Sequence, residues 1–181
     1  QDAERNKSII IIPTGGGNLT LGAGFKLTGA KMGASYSGAA SCGIEAYDGT
    51  LVIEDGAEIS GCGKGVAIQV ASDCALRLEG GNVSGNSGYG LKLQSGSDSQ
   101  PVDARIENTL PANARFENFV LVGYLYGPDL KFDTVITAAP GYTLTAADLD
   151  KFTLKSVDSE TDSYELYLEN NVNAIKLRKK N

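Results

Sequence analysis

The stretch from Leu51 to Leu93 carries nearly the same pattern twice, and no other feature constrains the chain as strongly. The first copy reads Thr50-Leu-Val-Ile-Glu-Asp-Gly-Ala-Glu-Ile-Ser-Gly61, followed by Gly65-Val-Ala-Ile-Gln-Val70. The second reads Ala75-Leu-Arg-Leu-Glu-Gly-Gly-Asn-Val-Ser-Gly85, followed by Gly90-Leu-Lys-Leu-Gln94. Leu51, Ile53, Ile59, Gly61 and Val66 thereby match Leu76, Leu78, Val83, Gly85 and Leu91, at offsets of 25, 25, 24, 24 and 25. A third copy precedes them: Leu19, Leu21, Gly24, Leu27 and Gly29 match Leu51, Ile53, Gly56, Ile59 and Gly61, each at offset 32.

Within each copy the apolar residues alternate, which is the period of a strand with one buried face. Each run is short and closes at a Gly, where the chain turns with positive φ. Three short strands cannot bury a face alone. Stacked repeats can, with each layer about 4.8 Å from the next and matching Leu, Ile and Val residues lining one interior. That arrangement is a parallel β-helix. The runner-up, a β-sandwich, leaves three copies in register unexplained.

The run Gly80-Gly-Asn-Val-Ser-Gly-Asn86 resembles the GGxISGN-type repeats of bacterial surface proteins with a right-handed, pectate-lyase-like β-helix, and Gly56-Ala-Glu-Ile-Ser-Gly61 is a looser match. The resemblance covers roughly residues 15–100. It implies an exported, extracellular or cell-surface protein. It does not select a function, because that family includes polysaccharide lyases, hydrolases, adhesins and inert stalks.

The expected fold is all-β: a short right-handed parallel β-helix of about four coils over 8–137, then a cap or small appended module over 138–181. Ser8 to Ile12 reads as a first strand stopped by Pro13. The first coil carries a Gly/Ala/Ser-rich insertion near Ala30–Cys42, with Lys31, Met32 and Tyr36 its only distinctive side chains. Ala104–Ile106, Ala114–Phe116 and Phe119–Val122 form a fourth, degenerate coil. Heavier residues (Tyr124, Tyr126, Phe132) then close the stack as core or cap, covering strand edges that would otherwise be open. Thr145-Ala-Ala-Asp148 is a capping-box variant opening a helix to about Phe152. Ser163 to Arg178 reads as a hairpin about Asn170-Asn171, pairing Tyr164 with Leu177, Leu166 with Ile175 and Glu165 with Lys176.

The chain has no His, which excludes Ser-His-Asp and Cys-His machinery, His-bearing zinc sites and the Gly-His-Gly chemistry of some β-helix hydrolases. If Ile44/Ala46, Val66/Ile68 and Leu91/Leu93 point inward, the outward rows are Glu45, Ala67, Lys92 and Tyr47, Gln69, Gln94. A lone Glu45 cannot supply the 6–8 oxygens of a calcium site. Glu45 and Lys92 lie two coils, about 10 Å, apart. Elsewhere the outward residues are Thr20, Val52 and Arg77; Lys26, Glu58 and Asn82, with a Lys26–Glu58 pair expected; and a hydroxyl row of Thr28, Ser60 and Ser84. Asp55, Asp73 and Asp98 fall at turns, where Asp is common for backbone reasons. Asp158-Ser-Glu-Thr-Asp162 lacks the spacing and Gly of an EF-hand loop.

No catalytic residue, metal site or cofactor is therefore expected. The ligand-binding candidates are Tyr47, Gln69, Gln94, Glu45, Lys92 and Tyr89, a phenol–amide–charge set suited to sugar hydroxyls. The first expectation is a non-catalytic surface module, an adhesive or structural platform whose partner is a polysaccharide or a host or cell-surface protein. The alternatives are a carbohydrate-binding module and a fragment of a polysaccharide lyase or hydrolase. A net charge of −6 without a basic patch argues against nucleic acid, and no apolar run is long enough for a membrane-spanning helix. Three cysteines leave a Cys42–Cys62 disulfide or three small buried hydrophobes.

Overall fold

A computed structural model describes residues 10–28, 42–62, 66–96 and 100–181, with only the backbone at Cys42 and Val66. The insertion near 30–42, Asp98, the residues before Ile10 and the Cys42 side of the Cys42–Cys62 pairing lie outside the described residues. The fold is all-β with one short helix. The strands are β1 (Ile10–Ile12), β2 (Asn18–Leu21), β3 (Lys26–Thr28), β4 (Cys42–Ala46), β5 (Gly49–Ile53), β6 (Glu58–Ser60), β7 (Val66–Ala71), β8 (Cys74–Leu78) and β9 (Asn82–Ser84). There follow β10 (Tyr89–Gln94), β11 (Asp103–Ile106), β12 (Arg115–Val122), β13 (Leu125–Tyr126), β14 (Asp129–Leu130), β15 (Thr134–Ala138), α1 (Ala146–Leu149), β16 (Phe152–Val157), β17 (Tyr164–Glu169) and β18 (Ala174–Lys179).

From β1 to β9, each strand pairs in parallel with the third strand after it; β10 then pairs with β12 and β11 with β15. One ladder is β2–β5–β8–β11–β15, a second β3–β6–β9–β12 and a third β1–β4–β7–β10–β12–β16. The long strand β12 belongs to two ladders and joins them into one sheet: Arg115 and Phe116 pair with Asn82 and Val83, while Val120 to Val122 pair with Lys92 to Gln94. It turns at Asn118, whose φ is 53°.

In the first two ladders the repeat offsets reappear as hydrogen-bonded neighbours. Leu19, Leu51 and Leu76 are successive partners, as are Leu21, Ile53 and Leu78, and Leu27, Ile59 and Val83. The degenerate copy continues them, with Ala104 beside Leu76, Ile106 beside Leu78 and Phe116 beside Val83. Their side chains form one core that runs from Ile12 to Leu177. Each fully buried Leu or Ile contributes about 1.5–3 kcal/mol of transfer free energy. Towards the C-terminal end the stack widens to Phe116 and Phe152, whose rings lie 4.9 Å apart and 13° from parallel.

Three expectations are corrected. Ile44 pairs with Ile68, not with Val66, and Ile68 with Leu91, so the middle strand is displaced by two residues. In the C-terminal hairpin Tyr164 faces Lys179, Glu165 faces Arg178 and Leu166 faces Leu177, again a two-residue displacement. Asn173, at φ 51°, makes that loop longer: its Oδ1 accepts the Leu144 N–H at 2.8 Å and its Nδ2 donates to the Tyr142 carbonyl at 2.7 Å. The helix is one turn, and Phe152 already belongs to β16. The tail also rejoins the body: β16 extends the third ladder in parallel, and β18 pairs antiparallel with β15.

Candidate functional site

The displaced register rebuilds the outward row. Its members on successive strands are Ile11, Glu45, Gln69, Lys92 and Val120. Ala67, expected between Glu45 and Lys92, is fully buried, and Gln69 takes its place in the row, although Gln69 and Val120 are themselves buried. Lys92 Nζ donates to Gln69 Oε1 at 3.0 Å, and Tyr47 Oη donates to Glu45 Oε2 at 2.9 Å. Gln94 pairs with Ala71, so the proposed Tyr47–Gln69–Gln94 row does not form. What the fold assembles is an acid, an amide and an amine on three neighbouring strands, with a phenol folded onto the acid.

Tyr89 stands apart from this group, at the start of β10 opposite Val66. Lys155 Nζ lies 5.2 Å from its ring centroid and donates to the Gly88 carbonyl at 3.2 Å. Tyr47 and Tyr89 are both partly exposed, at 37% and 39%. The face therefore offers hydrogen-bonding groups and two ring edges, without a second carboxylate in the row to act as partner acid or base.

The other rows are explained by structure. Lys26 and Glu58 form the expected ion pair at 2.9 Å, and Thr28, Ser60 and Ser84 are ladder neighbours. In the first ladder Arg105 follows Thr20, Val52 and Arg77. Arg77 contacts Asp103 at 2.7 Å and Glu107 at 3.3 Å, and Arg105 contacts Asp103 at 3.1 Å. Burial works to raise the Asp103 pKa, but the Arg77 and Arg105 guanidiniums outweigh it and hold the carboxyl below its usual range. This network ties β8 to β11; the sequence reading stopped at Arg77 because Asp103 lies in the copy whose spacing has drifted.

The repeat motif is likewise committed to the scaffold. A Cβ at Gly80 would sit 2.6 Å from the Asp55 Cα, and one at Gly81, where φ is 92°, would fall on the Ile53 side chain. Val83 is fully buried and Gly85 turns the chain at φ 62°. Asn86 accepts the Cys62 N–H at 3.0 Å and donates to the Ile59 carbonyl at 3.2 Å.

Asp158 is not a metal ligand in waiting: its two carboxylate oxygens accept the N–H groups of Gly123 at 2.6 Å and Leu125 at 2.9 Å. Among the described residues no three His, Cys, Asp or Glu side chains gather to hold a metal. Burial pushes the Cys74 thiol up to about 11, far from the thiolate a nucleophile needs. Tyr124 and Tyr126, read together from the sequence, separate completely: Tyr124 is fully buried and Tyr126 is 80% exposed. No described helix is long and apolar enough to cross a membrane.

No protein-family model, curated protein or solved structure matches this chain.

Proposed function

We propose that the chain winds as a right-handed parallel β-helix and serves as a non-catalytic extracellular or cell-surface module, an adhesive or structural platform. The observation that carries this reading is the use of the motif. Gly80, Gly81, Val83, Gly85 and Asn86 are all engaged in stacking one repeat on the next. What repeats is therefore a support, and what varies is the outward row it presents. The three parallel ladders and the single core support the winding.

A second reading, carbohydrate binding, is favoured by the Tyr47–Glu45 and Gln69–Lys92 pairs on adjacent strands. Sugar hydroxyls both donate and accept, and the half-buried Glu45 and Lys92 offer both complements, with the buried Gln69 holding Lys92 in place.

One experiment addresses both. The purified chain is applied to a glycan array with and without calcium, and the same glycans are assayed for new reducing ends or unsaturated products. The platform reading expects no cleavage under either condition; reproducible product release would overturn it. Binding that drops with Tyr47→Ala assigns the ligand to the Glu45–Lys92 face. Binding indifferent to that substitution removes this face as the sugar site.

A further inference from the structure

Tyr126 is the most exposed large apolar side chain among the described residues. It stands on a two-stranded hairpin, β13–β14, in which Leu125 pairs with Leu130 and Tyr126 with Asp129. Gly127, at φ 61°, and Pro128 make the two-residue turn. Hairpins this small are marginal by themselves, but this one is fastened at base and tip. Asp158 accepts the Gly123 and Leu125 N–H groups, and Tyr164 Oη donates to the Pro128 carbonyl at 3.2 Å. The N–H groups of Lys131 and Phe132 both donate to the Tyr124 carbonyl, at 2.8 and 3.2 Å. Tyr124 itself is fully buried, edge-on to Phe132 with centroids 5.8 Å apart. Asp158 holds φ 51° while making its two bonds. Several groups thus position a hairpin whose tip aromatic packs against nothing that removes it from solvent.

Directly paired antiparallel residues project to the same side, with Cβ atoms about 5 Å apart. The Tyr126 ring and the exposed Asp129 carboxylate therefore share one face of the hairpin. A flat apolar ring beside a pure acceptor is complementary to a pyranose: the sugar's C–H face covers the ring while its hydroxyls donate to the carboxylate. The hairpin alone falls short of a stable protein interface, which needs about 800 Å² per side. The carboxylate also disfavours an acidic glycan, in keeping with a chain of net charge −6.

We propose that Tyr126 and Asp129 form a sugar-binding site for neutral, hydroxyl-rich pyranosides. It uses none of the residues of the Glu45–Lys92 row. One ring and a few hydrogen bonds support an affinity on the order of millimolar, raised by presenting several copies together.

The test uses the full chain displayed in several copies on beads, with neutral and uronate-containing glycans as probes. A titration of the free chain follows the Tyr126 ring resonances by NMR. Neutral glycans should be retained and should shift those resonances. Tyr126→Ala should weaken retention by about tenfold or more, and Tyr126→Phe should stay within about threefold of the parent. Asp129→Asn should weaken neutral-glycan binding and narrow the preference for neutral over uronate-containing glycans. Circular dichroism checks that each variant keeps its fold, which is expected for side chains this exposed. Binding restricted to acidic glycans, binding lost with Tyr47→Ala but not with Tyr126→Ala, or no glycan binding at all would each overturn the site. The last outcome would leave the non-catalytic platform reading standing, and product release would remove that reading without touching this one.

Discussion

The repeated body and the C-terminal region solve the same backbone problem with different residues. Through β11, every described residue with positive φ is a glycine: Gly15, Gly24, Gly49, Gly56, Gly61, Gly81 and Gly85. From β12 onward the left-handed corners include Asn118, Asp158, Asp162 and Asn173 as well as Gly123, Gly127 and Gly141. Three of those four side chains fasten backbone. Asn118 donates to the Asn86 carbonyl, Asp158 holds the start of the hairpin, and Asn173 clasps the segment from Tyr142 to Leu144. Asn and Asp tolerate the left-handed region because their short polar arms bond locally. In the body the preceding repeat occupies the space a Cβ would need at Gly49, Gly56 and Gly81, while Gly15, Gly24 and Gly85 have room for one. In the terminal region several corners have room for a side chain, and the side chain is put to use.

The largest expected effect isolates that distinction. Gly81→Ala meets both a φ of 92° and the Ile53 side chain, whereas Gly141→Ala meets a φ of 86° with nothing within 4 Å. Urea denaturation should show a loss of about 2–4 kcal/mol for Gly81→Ala and about 1 kcal/mol for Gly141→Ala. Equal losses would mean that backbone strain alone decides, and that stacking has nothing to do with the choice of glycine.

The next largest concerns Asn86. Asn86→Ala removes the acceptor for the Cys62 N–H and the donor to the Ile59 carbonyl, leaving buried backbone groups unpaired. The expected loss is about 1–3 kcal/mol. Asn86→Asp keeps the acceptor but not the donor, and should fall between parent and Ala. If both variants match the parent in denaturation midpoint, the motif Asn is not a scaffold residue and the platform reading loses its main support.

The same physics explains what was legible. Alternation identifies the strands and their buried faces, so the partners of Leu51, Ile53 and Ile59 could be read from spacing. A slip of one residue would invert every face, but a slip of two leaves every face unchanged. Both register errors, Ile44 against Val66 and Tyr164 against Leu177, are slips of two. Only corner contacts fix the remaining choice, such as Gly61 N–H to the Gly85 carbonyl at 3.3 Å or the Asn173 clasp. The candidate site suffered accordingly: Glu45, Lys92 and Tyr47 were placed on the correct face, while Gln69 was set beside the wrong neighbour. β16 was missed because Phe152–Val157 follows the helix without a repeat signature. Tyr126 was unreadable because its exposure depends on Asp158 and Tyr164, both more than thirty residues away.

The terminal region should also be the more acid-sensitive part. Asp148 is buried and accepts from Tyr142 Oη at 2.7 Å, from Thr145 N–H at 2.9 Å and from Thr145 Oγ1 at 2.7 Å. Burial alone would raise its pKa; the hydrogen bonds from Tyr142 and Thr145 outweigh that and hold it below the usual carboxylate value. A depressed folded pKa contributes stability above the unfolded value, about 3.9, and that contribution fades as pH falls through the folded one. Amide exchange at residues 142–149 should therefore accelerate below about pH 4 before exchange in β5 and β6 does. In Asp148→Asn this acid-dependent difference should shrink. Simultaneous acceleration in both regions would argue that they unfold as one unit.

The smallest expected effect lies back in the body, on its solvent side. Lys26 and Glu58 make a 2.9 Å ion pair, with side chains 62% and 46% exposed. Water screens such a pair, and holding two long side chains in one geometry costs entropy, so Glu58→Gln should change stability by less than about 1 kcal/mol. Added salt should reduce even that. The contrast with Gly81 is the informative part: both belong to the stacking of neighbouring repeats, one through a missing Cβ and one through opposite charges. If Glu58→Gln cost as much as Gly81→Ala, charge along the outer row would rival steric fit in holding the repeats together. The body would then depend on ionic strength, which a scaffold built from buried Leu, Ile and Val ladders should not.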